Sequence, residues 1–230
     1  MSDIPMSESR KSELPTSEVT TTLWPSLSRD LVAILRGLAP GEAEGIGLAL
    51  AEAGFEAIEV PLNSPDPFRS IEILARVLPA TVLVGGGTVL DPADVARLAD
   101  AGGRLMVSPN VDAAVIGAAR RRAMVTMPGV FTPTEAFAAL KAGASALKFF
   151  PASVLGPAGI AAILAVLPKT TVVGAVGGVG NADFAAYGRI GLRTFGLGSS
   201  IYRPGLSAAE VAVLAAATVA AYDEAMAAPL

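Results

Sequence analysis

A lysine lies inside an apolar stretch of the sequence, residues 146–151, where Lys148 stands between Leu147 and Phe149. Burial of an ammonium group is strongly unfavourable unless the group is paired or neutral. Desolvation lowers the pKa of a lysine, and a neutral amine is a nucleophile that attacks ketones. A lysine in such a place can also extend its charged end to solvent or pair with a carboxylate. Lys148 is therefore a candidate nucleophile whose surroundings decide its role.

A glutamate lies inside a second apolar stretch, residues 55–63. Side chains of an extended strand alternate between two faces, so Ile58 and Val60 share one face and Glu59 points to the other. If the aliphatic faces meet a layer of helices, Glu59 and Lys148 both point into the interior. A buried ion pair would explain the two residues structurally. Because glycine-rich strand ends accompany them, a catalytic pair is the better explanation.

The composition limits the available chemistry. The 230-residue chain contains no cysteine and no histidine. Disulfides, thiolate catalysis and zinc–thiolate sites are thus excluded, and the commonest general base and transition-metal ligand is missing. We expect no metal and no cofactor, with the chemistry carried by lysine, carboxylates, arginine, hydroxyls and backbone amides. The net charge is -4, and the one basic run, residues 120–122, ends a predicted helix, so we expect no nucleic-acid binding.

The order of the predicted elements indicates the fold. From Leu27 onward, short β-branched runs alternate with amphipathic segments rich in alanine and leucine, which is typical of repeated βα units. About eight such units in roughly 200 residues predict an α/β fold, a single (β/α)8 TIM barrel. A doubly wound open sheet would instead have one dominant glycine-rich turn near its start. The predicted strands are residues 31–35, 57–62, 81–85, 105–108, 124–127, 146–149, 171–176 and 194–197.

Capping residues mark the beginnings of several helices. Asp66 and Asp91 each precede a proline, which suits an N-cap followed by proline at the first helical position. Thr132 and Ser207 each precede a glutamate by three residues, which is the capping-box pattern.

The N-terminal residues differ from the rest of the chain. Residues 1–26 are rich in serine, threonine, proline and glutamate, so we predict a flexible tail followed by one barrel domain over residues 27–230. No apolar stretch is long enough to span a bilayer, and the first residues lack the apolar segment of a signal peptide. We therefore expect a cytoplasmic protein that does not bind membranes.

Two glycine-containing loops follow the seventh and eighth predicted strands, Gly177-Gly178 and Gly198-Ser199. In many barrels these two loops hold a phosphate group through backbone N–H groups. Glycines can also serve only close packing and tight turns. Because both loops stand after the expected strands, we interpret them as a phosphate site.

Seven short motifs occur in the order found in one enzyme family. They are VAILRG at 32–37, IEV at 58–60, GTV at 87–89, SPN at 108–110, PG at 128–129, ALKFFP at 146–151 and GGV at 177–179. Each motif alone is weak, but the set is specific. From Leu31 to about Tyr202 the chain resembles the class I 2-keto-3-deoxy-6-phosphogluconate and 6-phosphogalactonate aldolases.

The resemblance implies a (β/α)8 barrel that assembles as a homotrimer, uses no metal and acts on a phosphorylated 2-keto acid. It implies that Lys148 forms a Schiff base with the substrate and that Glu59 is the general acid/base. It also implies that Arg36 and Thr88 contact the substrate, Thr88 near the carboxylate of the pyruvate part. The residues that would line the phosphate site are Gly177, Gly178, Gly198 and Ser199.

Two positions depart from the gluconate branch of the family. Asn63 stands where that branch has an arginine that helps to hold the carboxylate, and Val176 stands where it has a threonine. Both differences resemble the galactonate branch. The expected reaction is cleavage of 2-dehydro-3-deoxy-6-phosphogalactonate to pyruvate and D-glyceraldehyde 3-phosphate, with Val176 near the C4 hydroxyl. Cleavage of the 6-phosphogluconate isomer by the same mechanism is the alternative.

Two other functions stay open at this point. A sugar-phosphate isomerase or epimerase would use the same phosphate loops, but it would need a pair of acid/base groups and no imine-forming lysine. A non-catalytic sugar-phosphate-binding barrel would bind without turnover and would have no use for a buried lysine.

Overall fold

The computed structural model describes residues 21–227, and its eight parallel strands close into a barrel in the order of the sequence. This confirms the predicted (β/α)8 fold. Each strand pairs with the next along the chain, and the last pairs with the first. The strands are β1 (Leu31–Ile34), β2 (Ala57–Pro61), β3 (Leu83–Gly87), β4 (Leu105–Ser108), β5 (Val125–Val130), β6 (Leu147–Phe149), β7 (Val173–Val176) and β8 (Thr194–Leu197).

A helix follows each strand, and a short 3-10 turn, Asn181–Asp183, precedes the seventh. No helix in the described part of the chain is long and apolar enough to cross a membrane. The helices are α1 (Pro40–Ala53), α2 (Pro67–Val77), α3 (Pro92–Asp100), α4 (Ala113–Arg120), α5 (Pro133–Ala142), α6 (Ala152–Leu164, interrupted at Gly156), α7 (Phe184–Gly188) and α8 (Ala208–Ala227).

Three of the four predicted caps form as expected. The Asp91 side chain accepts a hydrogen bond from the backbone N–H of Ala93. The Thr132 and Ser207 hydroxyls each accept a hydrogen bond from the N–H of the glutamate three residues later, whose carboxylate bonds back. Asp66 occupies the N-cap position of α2, but its side chain makes no capping bond because its backbone is left-handed, with φ 38°. These three caps fix where α3, α5 and α8 begin.

Alternate strand residues belong to two different apolar layers. Ile58 and Val60 of β2, like Leu147 of β6, lie in the large buried cluster between the strands and the helices. Glu59 lies between Ile58 and Val60, and Lys148 directly follows Leu147. Both side chains point to the interior of the barrel, where they line a cavity. The predicted orientation of the two polar residues is therefore confirmed.

The interior of the barrel near the strand beginnings is filled with apolar side chains. Trp24 and Leu27 pack against this inner cluster, and Trp24 Nε1 donates a hydrogen bond of 3.0 Å to Asp30. Of the predicted tail, residues 1–20 lie outside the described residues, and residues 21–26 contain no helix or strand. The inner cluster consists of Val32, Ala57, Leu83, Leu105, Val107, Val125, Met127 and Ala146.

Two strands extend further than the sequence predicted. β3 ends at Gly87 rather than at residue 85, and β5 ends at Val130 rather than at residue 127. Glycine and proline usually weaken a strand, which is why the predicted boundaries stopped early. In β3, however, a Cβ at Gly85 would collide with the backbone carbonyl of Leu105 in β4. The glycine allows the two strands to approach closely, so it belongs to the strand.

We expect Gly85→Ala to lower the free energy of unfolding by ~2 kcal/mol more than Gly86→Ala, since overpacking against a backbone costs ~1–3 kcal/mol. Gly86 is the matched control, because a Cβ there would meet only the ends of the Leu98 and Leu62 side chains, at 3.1 to 3.4 Å. Urea denaturation of both variants at one protein concentration measures the difference. Equal destabilisation by the two changes would contradict this account of the β3–β4 contact.

Candidate active site

The C-terminal ends of the strands surround a cavity of about 610 Å³. Barrels of this fold place their chemistry at this end. The nine residues that the sequence analysis assigned to catalysis or substrate binding come from six strand ends, and the structure brings all of them together. They are Arg36, Glu59, Thr88, Lys148, Val176, Gly177, Gly178, Gly198 and Ser199.

Lys148 is positioned by β6 between two glycines. Its register partners are Gly129 of β5 and Gly174 of β7, where a Cβ would collide with the Pro109 backbone and with the Met127 side chain, respectively. Lys148 is only 6% exposed. Burial lowers its pKa to about 8; the Glu59 carboxylate opposes this shift and the Arg36 guanidinium adds to it. A sizeable fraction of the amine is therefore neutral near pH 7 to 8, as a nucleophilic lysine requires.

Glu59 is positioned by β2 and is 2% exposed. Burial raises its pKa to about 7, although the positive charges of Lys148 and Arg36 act in the opposite direction. Its Oε2 atom has no hydrogen-bond partner among the described residues. A Cβ at Gly87 would collide with the carboxyl group, so the glycine run of β3 provides the space that Glu59 occupies. A carboxyl group with this pKa can both accept and return a proton near neutral pH.

Glu59 and Lys148 influence each other electrostatically without making a direct ion pair. Within residues 21–227, the ion pairs join Arg29 to Asp223 and two further pairs of exposed helical residues. A buried ion pair is tolerated when close contact and hydrogen bonds compensate for lost hydration. That compensation is missing here, so the ion-pair interpretation does not explain why both groups are buried.

Arg36 follows β1, lines the cavity and is exposed. Its Nη1 atom donates a hydrogen bond of 2.6 Å to Oδ1 of Asn63, which follows β2. The next residues along the two loops are also joined, because the Gly37 N–H donates to the Ser64 hydroxyl at 2.9 Å. The sequence showed Asn63 only as the replacement of a family arginine. In the structure, Asn63 contacts Arg36, which is one of the nine predicted site residues.

Thr88 stands at the end of β3 with a left-handed backbone, φ 56°. A β-branched residue rarely adopts this conformation, which is sterically unfavourable outside glycine. Strained residues of this kind concentrate at functional sites because the surrounding structure has to impose them. The conformation is consistent with the predicted role of Thr88 in contacting a ligand.

The loop after β7 contains two consecutive left-handed glycines, with φ 89° at Gly177 and 71° at Gly178. A Cβ at Gly178 would also collide with the Ser153 side chain, so this backbone requires glycine. Val176, directly before them, is 4% exposed and aligns with Gly196 of β8. Its methyl groups lie over the space that a side chain at Gly196 would occupy, and they form part of the cavity wall.

Six further residues line the cavity that the sequence analysis did not assign to it: Ile34, Pro109, Phe150, Val179, Gly180 and Gly196. The ring of Phe150 lies over the Lys148 amine, with its centroid 4.9 Å from Nζ. Lys148 and Phe150 are two positions apart, and the strand alternation that turned Lys148 inward also predicts an inward Phe150. The aromatic face adds an apolar wall beside the amine and a weak attraction for its charged form. No cluster of three potential metal-ligating side chains occurs among residues 21–227.

Comparisons with known proteins agree with this arrangement. Residues 28–218 match the family described as "Aldolase: KDPG and KHG aldolase". A Rhizobium meliloti (strain 1021) protein named "Probable 2-dehydro-3-deoxy-6-phosphogalactonate aldolase" is 65% identical over 199 residues, covering 86% of this chain and 94% of that protein. The 2-dehydro-3-deoxy-6-phosphogalactonate aldolase of Escherichia coli (strain K12) is 47% identical over 196 residues, with 85% and 96% covered.

A solved structure described as "Native KDPGal structure" superposes with a TM-score of 0.86 at 46% identity, covering 88% of this chain and 98% of that chain. The family match extends over every strand of the barrel and all nine predicted cavity residues. On this basis the chain belongs to the KDPG and KHG aldolase family.

Proposed function

We propose that the protein is a class I aldolase that cleaves 2-dehydro-3-deoxy-6-phosphogalactonate to pyruvate and D-glyceraldehyde 3-phosphate. The observation that carries the proposal is the presence of a buried amine and a buried, unpaired carboxyl group in one cavity. The printed names of the 65% and 47% identical relatives support the galactonate substrate.

Lys148 starts the reaction as a neutral amine. It attacks the C2 carbonyl of the 2-keto acid, and loss of water gives an imine that is protonated on nitrogen. The protonated imine accepts the electron pair of the bond that is to be broken. The lowered pKa of Lys148 favours the attack, because only the neutral amine has a free electron pair.

Glu59 then acts as the base, directly or through one water molecule. It removes the proton of the C4 hydroxyl, the C3–C4 bond breaks, and its electrons move onto C3 and the imine to form an enamine. D-Glyceraldehyde 3-phosphate leaves as the aldehyde. Glu59 returns a proton to C3, and hydrolysis of the resulting imine releases pyruvate and the free lysine.

The remaining predicted residues hold the substrate. The backbone N–H groups around the Gly177-Gly178 and Gly198-Ser199 loops suit a phosphate, which strand-seven and strand-eight loops hold in many barrels. Thr88 follows β3, across the barrel from β7, and suits the carboxylate end, whereas Arg36 follows β1, which pairs with β8. The substrate is then fixed at both ends, with its C2 to C4 segment beside Lys148 and Glu59.

The other candidate functions fit the cavity less well. An isomerase or epimerase of sugar phosphates has no use for an imine-forming lysine between two glycines. A non-catalytic sensor gains nothing from a buried carboxyl group without a partner, which is destabilising. As part of the same proposal, we infer a homotrimer in the cytoplasm, which follows from the family resemblance and the sequence.

Borohydride reduction in the presence of pyruvate should attach a stable mass to Lys148, because reduction traps the imine. Peptide mass spectrometry identifies the labelled residue. Lys148→Met should abolish the label, whereas Lys169→Met, which changes an exposed lysine, should leave it in place. Labelling of Lys141 or Lys169 in the wild type would overturn the assignment.

Glu59→Gln should retain imine trapping but slow cleavage by about 10²- to 10⁴-fold, the usual contribution of a general acid/base. In the wild type, kcat/KM should fall steeply below pH 7, because acid protonates both Glu59, with its pKa of about 7, and Lys148, with its pKa of about 8. The variant should show a shallower fall, since only Lys148 still titrates. Steady-state kinetics across pH 5 to 9 measures both effects.

Glu44→Gln is the matched control for that experiment, because Glu44 is an exposed residue of α1 that is not part of the cavity lining. It should leave rate and pH profile unchanged. Near-normal turnover by Glu59→Gln would remove this residue from the mechanism.

The galactonate substrate should have a kcat/KM roughly 10- to 100-fold higher than its C4 epimer, the gluconate substrate. The two differ only at the C4 hydroxyl, and Val176 offers methyl groups where a threonine would offer a hydrogen-bonding hydroxyl. Val176→Thr should therefore narrow the ratio by restoring cleavage of the gluconate epimer. Val173→Thr, on the outward face of the same strand, is the control and should leave the ratio unchanged. A wild-type preference for the gluconate epimer would refute this interpretation.

A further inference from the structure

We propose that Asn63 is a positioning residue that holds the Arg36 guanidinium in place at the cavity. The proposal rests on the proposed aldolase function, because it assigns Asn63 a role in substrate binding through Arg36. Asn63 itself is not part of the cavity lining, whereas Arg36 is.

Two parallel hydrogen bonds join the loops after β1 and β2. Arg36 Nη1 donates to Asn63 Oδ1 at 2.6 Å, and the Gly37 N–H donates to the Ser64 hydroxyl at 2.9 Å. We call this pair of bonds the loop clamp. Since one bond holds the side chain of Arg36 and the other holds the backbone directly after it, the clamp restricts both ends of the arginine.

The clamp acts on a side chain that would otherwise be poorly ordered. Arg36 is exposed, and an arginine loses considerable rotamer freedom when it is fixed. A guanidinium already held by Asn63 does not have to lose that freedom when the substrate binds. The loop is also supported from the other side, because the left-handed Gly37 lies so close to Pro204 that a Cβ there would come within 2.7 Å of its ring.

The chemistry of asparagine suits this task better than that of aspartate. Arginine has only donors, so the Asn63 amide presents its oxygen to Arg36. An amide oxygen fixes the guanidinium without cancelling its charge, whereas a carboxylate would neutralise it. Arg36 forms no ion pair within residues 21–227. Its full charge is therefore available to an anionic substrate and to the field at Lys148 and Glu59.

A double-mutant cycle tests the proposal. We expect Asn63→Ala to raise KM for the phosphorylated 2-keto acid about tenfold with a smaller change in kcat, and Arg36→Ala to raise it at least as much. If Asn63 acts through Arg36, adding Asn63→Ala to Arg36→Ala should have almost no further effect. Asn110→Ala, which changes an exposed asparagine after β4 that does not line the cavity, is the control and should behave like the wild type.

The pH profile gives a second readout that a purely structural role would not change. Arg36 lowers the pKa values of Lys148 and Glu59, so Asn63→Ala, which releases the guanidinium without adding a charge, should raise both pKa values. The acid limb of kcat/KM should then move to higher pH, with the melting temperature unchanged. An acid limb that stays in place in Asn63→Ala would contradict the positioning role.

The outcomes separate this proposal from the aldolase function. Additive effects in the cycle, or an unchanged KM in Asn63→Ala, would reject the positioning role if the wild type still traps pyruvate at Lys148 and cleaves the substrate. A wild type that neither traps pyruvate nor cleaves the substrate would reject the proposed function, and the positioning role with it.

Discussion

The site depends on the burial of Lys148 and Glu59 in one cavity without a direct ion pair between them. Desolvation moves the pKa of the amine down to about 8 and that of the carboxyl group up to about 7, so both groups titrate close to neutral pH. Closer contact would stabilise the charged forms and fix the proton on the lysine. Without that contact both groups can gain or lose a proton near neutral pH, as the roles proposed for Lys148 and Glu59 require.

Glycines in the neighbouring strands allow the backbone and side chains around Glu59 and Lys148 to pack closely. Gly87 leaves room for the Glu59 carboxyl group, whereas Gly129 and Gly174, which align with Lys148, allow close packing of the Pro109 backbone and of the Met127 side chain. The unfavourable burial of Lys148 and Glu59 is confined to the end of the barrel at which the strands end. Near the strand beginnings the interior is filled by apolar side chains, and Trp24 and Leu27 pack against this inner cluster. One end of the barrel thus supplies packing, and the other end supplies open polar space.

The orientation of the central residues could be predicted from the sequence because strand alternation depends only on local geometry. Glu59 and Lys148 interrupt aliphatic runs, and a one-residue shift would have turned the whole aliphatic face inward. The end of β3 could not be predicted, since glycines that break an isolated strand are required by the approach of β4 at Gly85. The contact between Arg36 and Asn63 could not be predicted from the sequence either. It joins loops 27 residues apart, and only the barrel brings them together.

The charged groups of the cavity make no ion pairs within residues 21–227, and this explains how the site remains ready for an anionic substrate. Arg36 is held by an amide oxygen, and the predicted phosphate loops offer backbone N–H groups rather than cations. Glu59 is the one acidic residue in the described lining, against the two basic residues Arg36 and Lys148. A carboxylate partner for either cation would stabilise the free protein but would compete with the substrate. The site instead leaves its positive charges uncompensated until the negative charges of the substrate arrive, so part of the binding energy comes from completing an electrostatic arrangement that the fold leaves open.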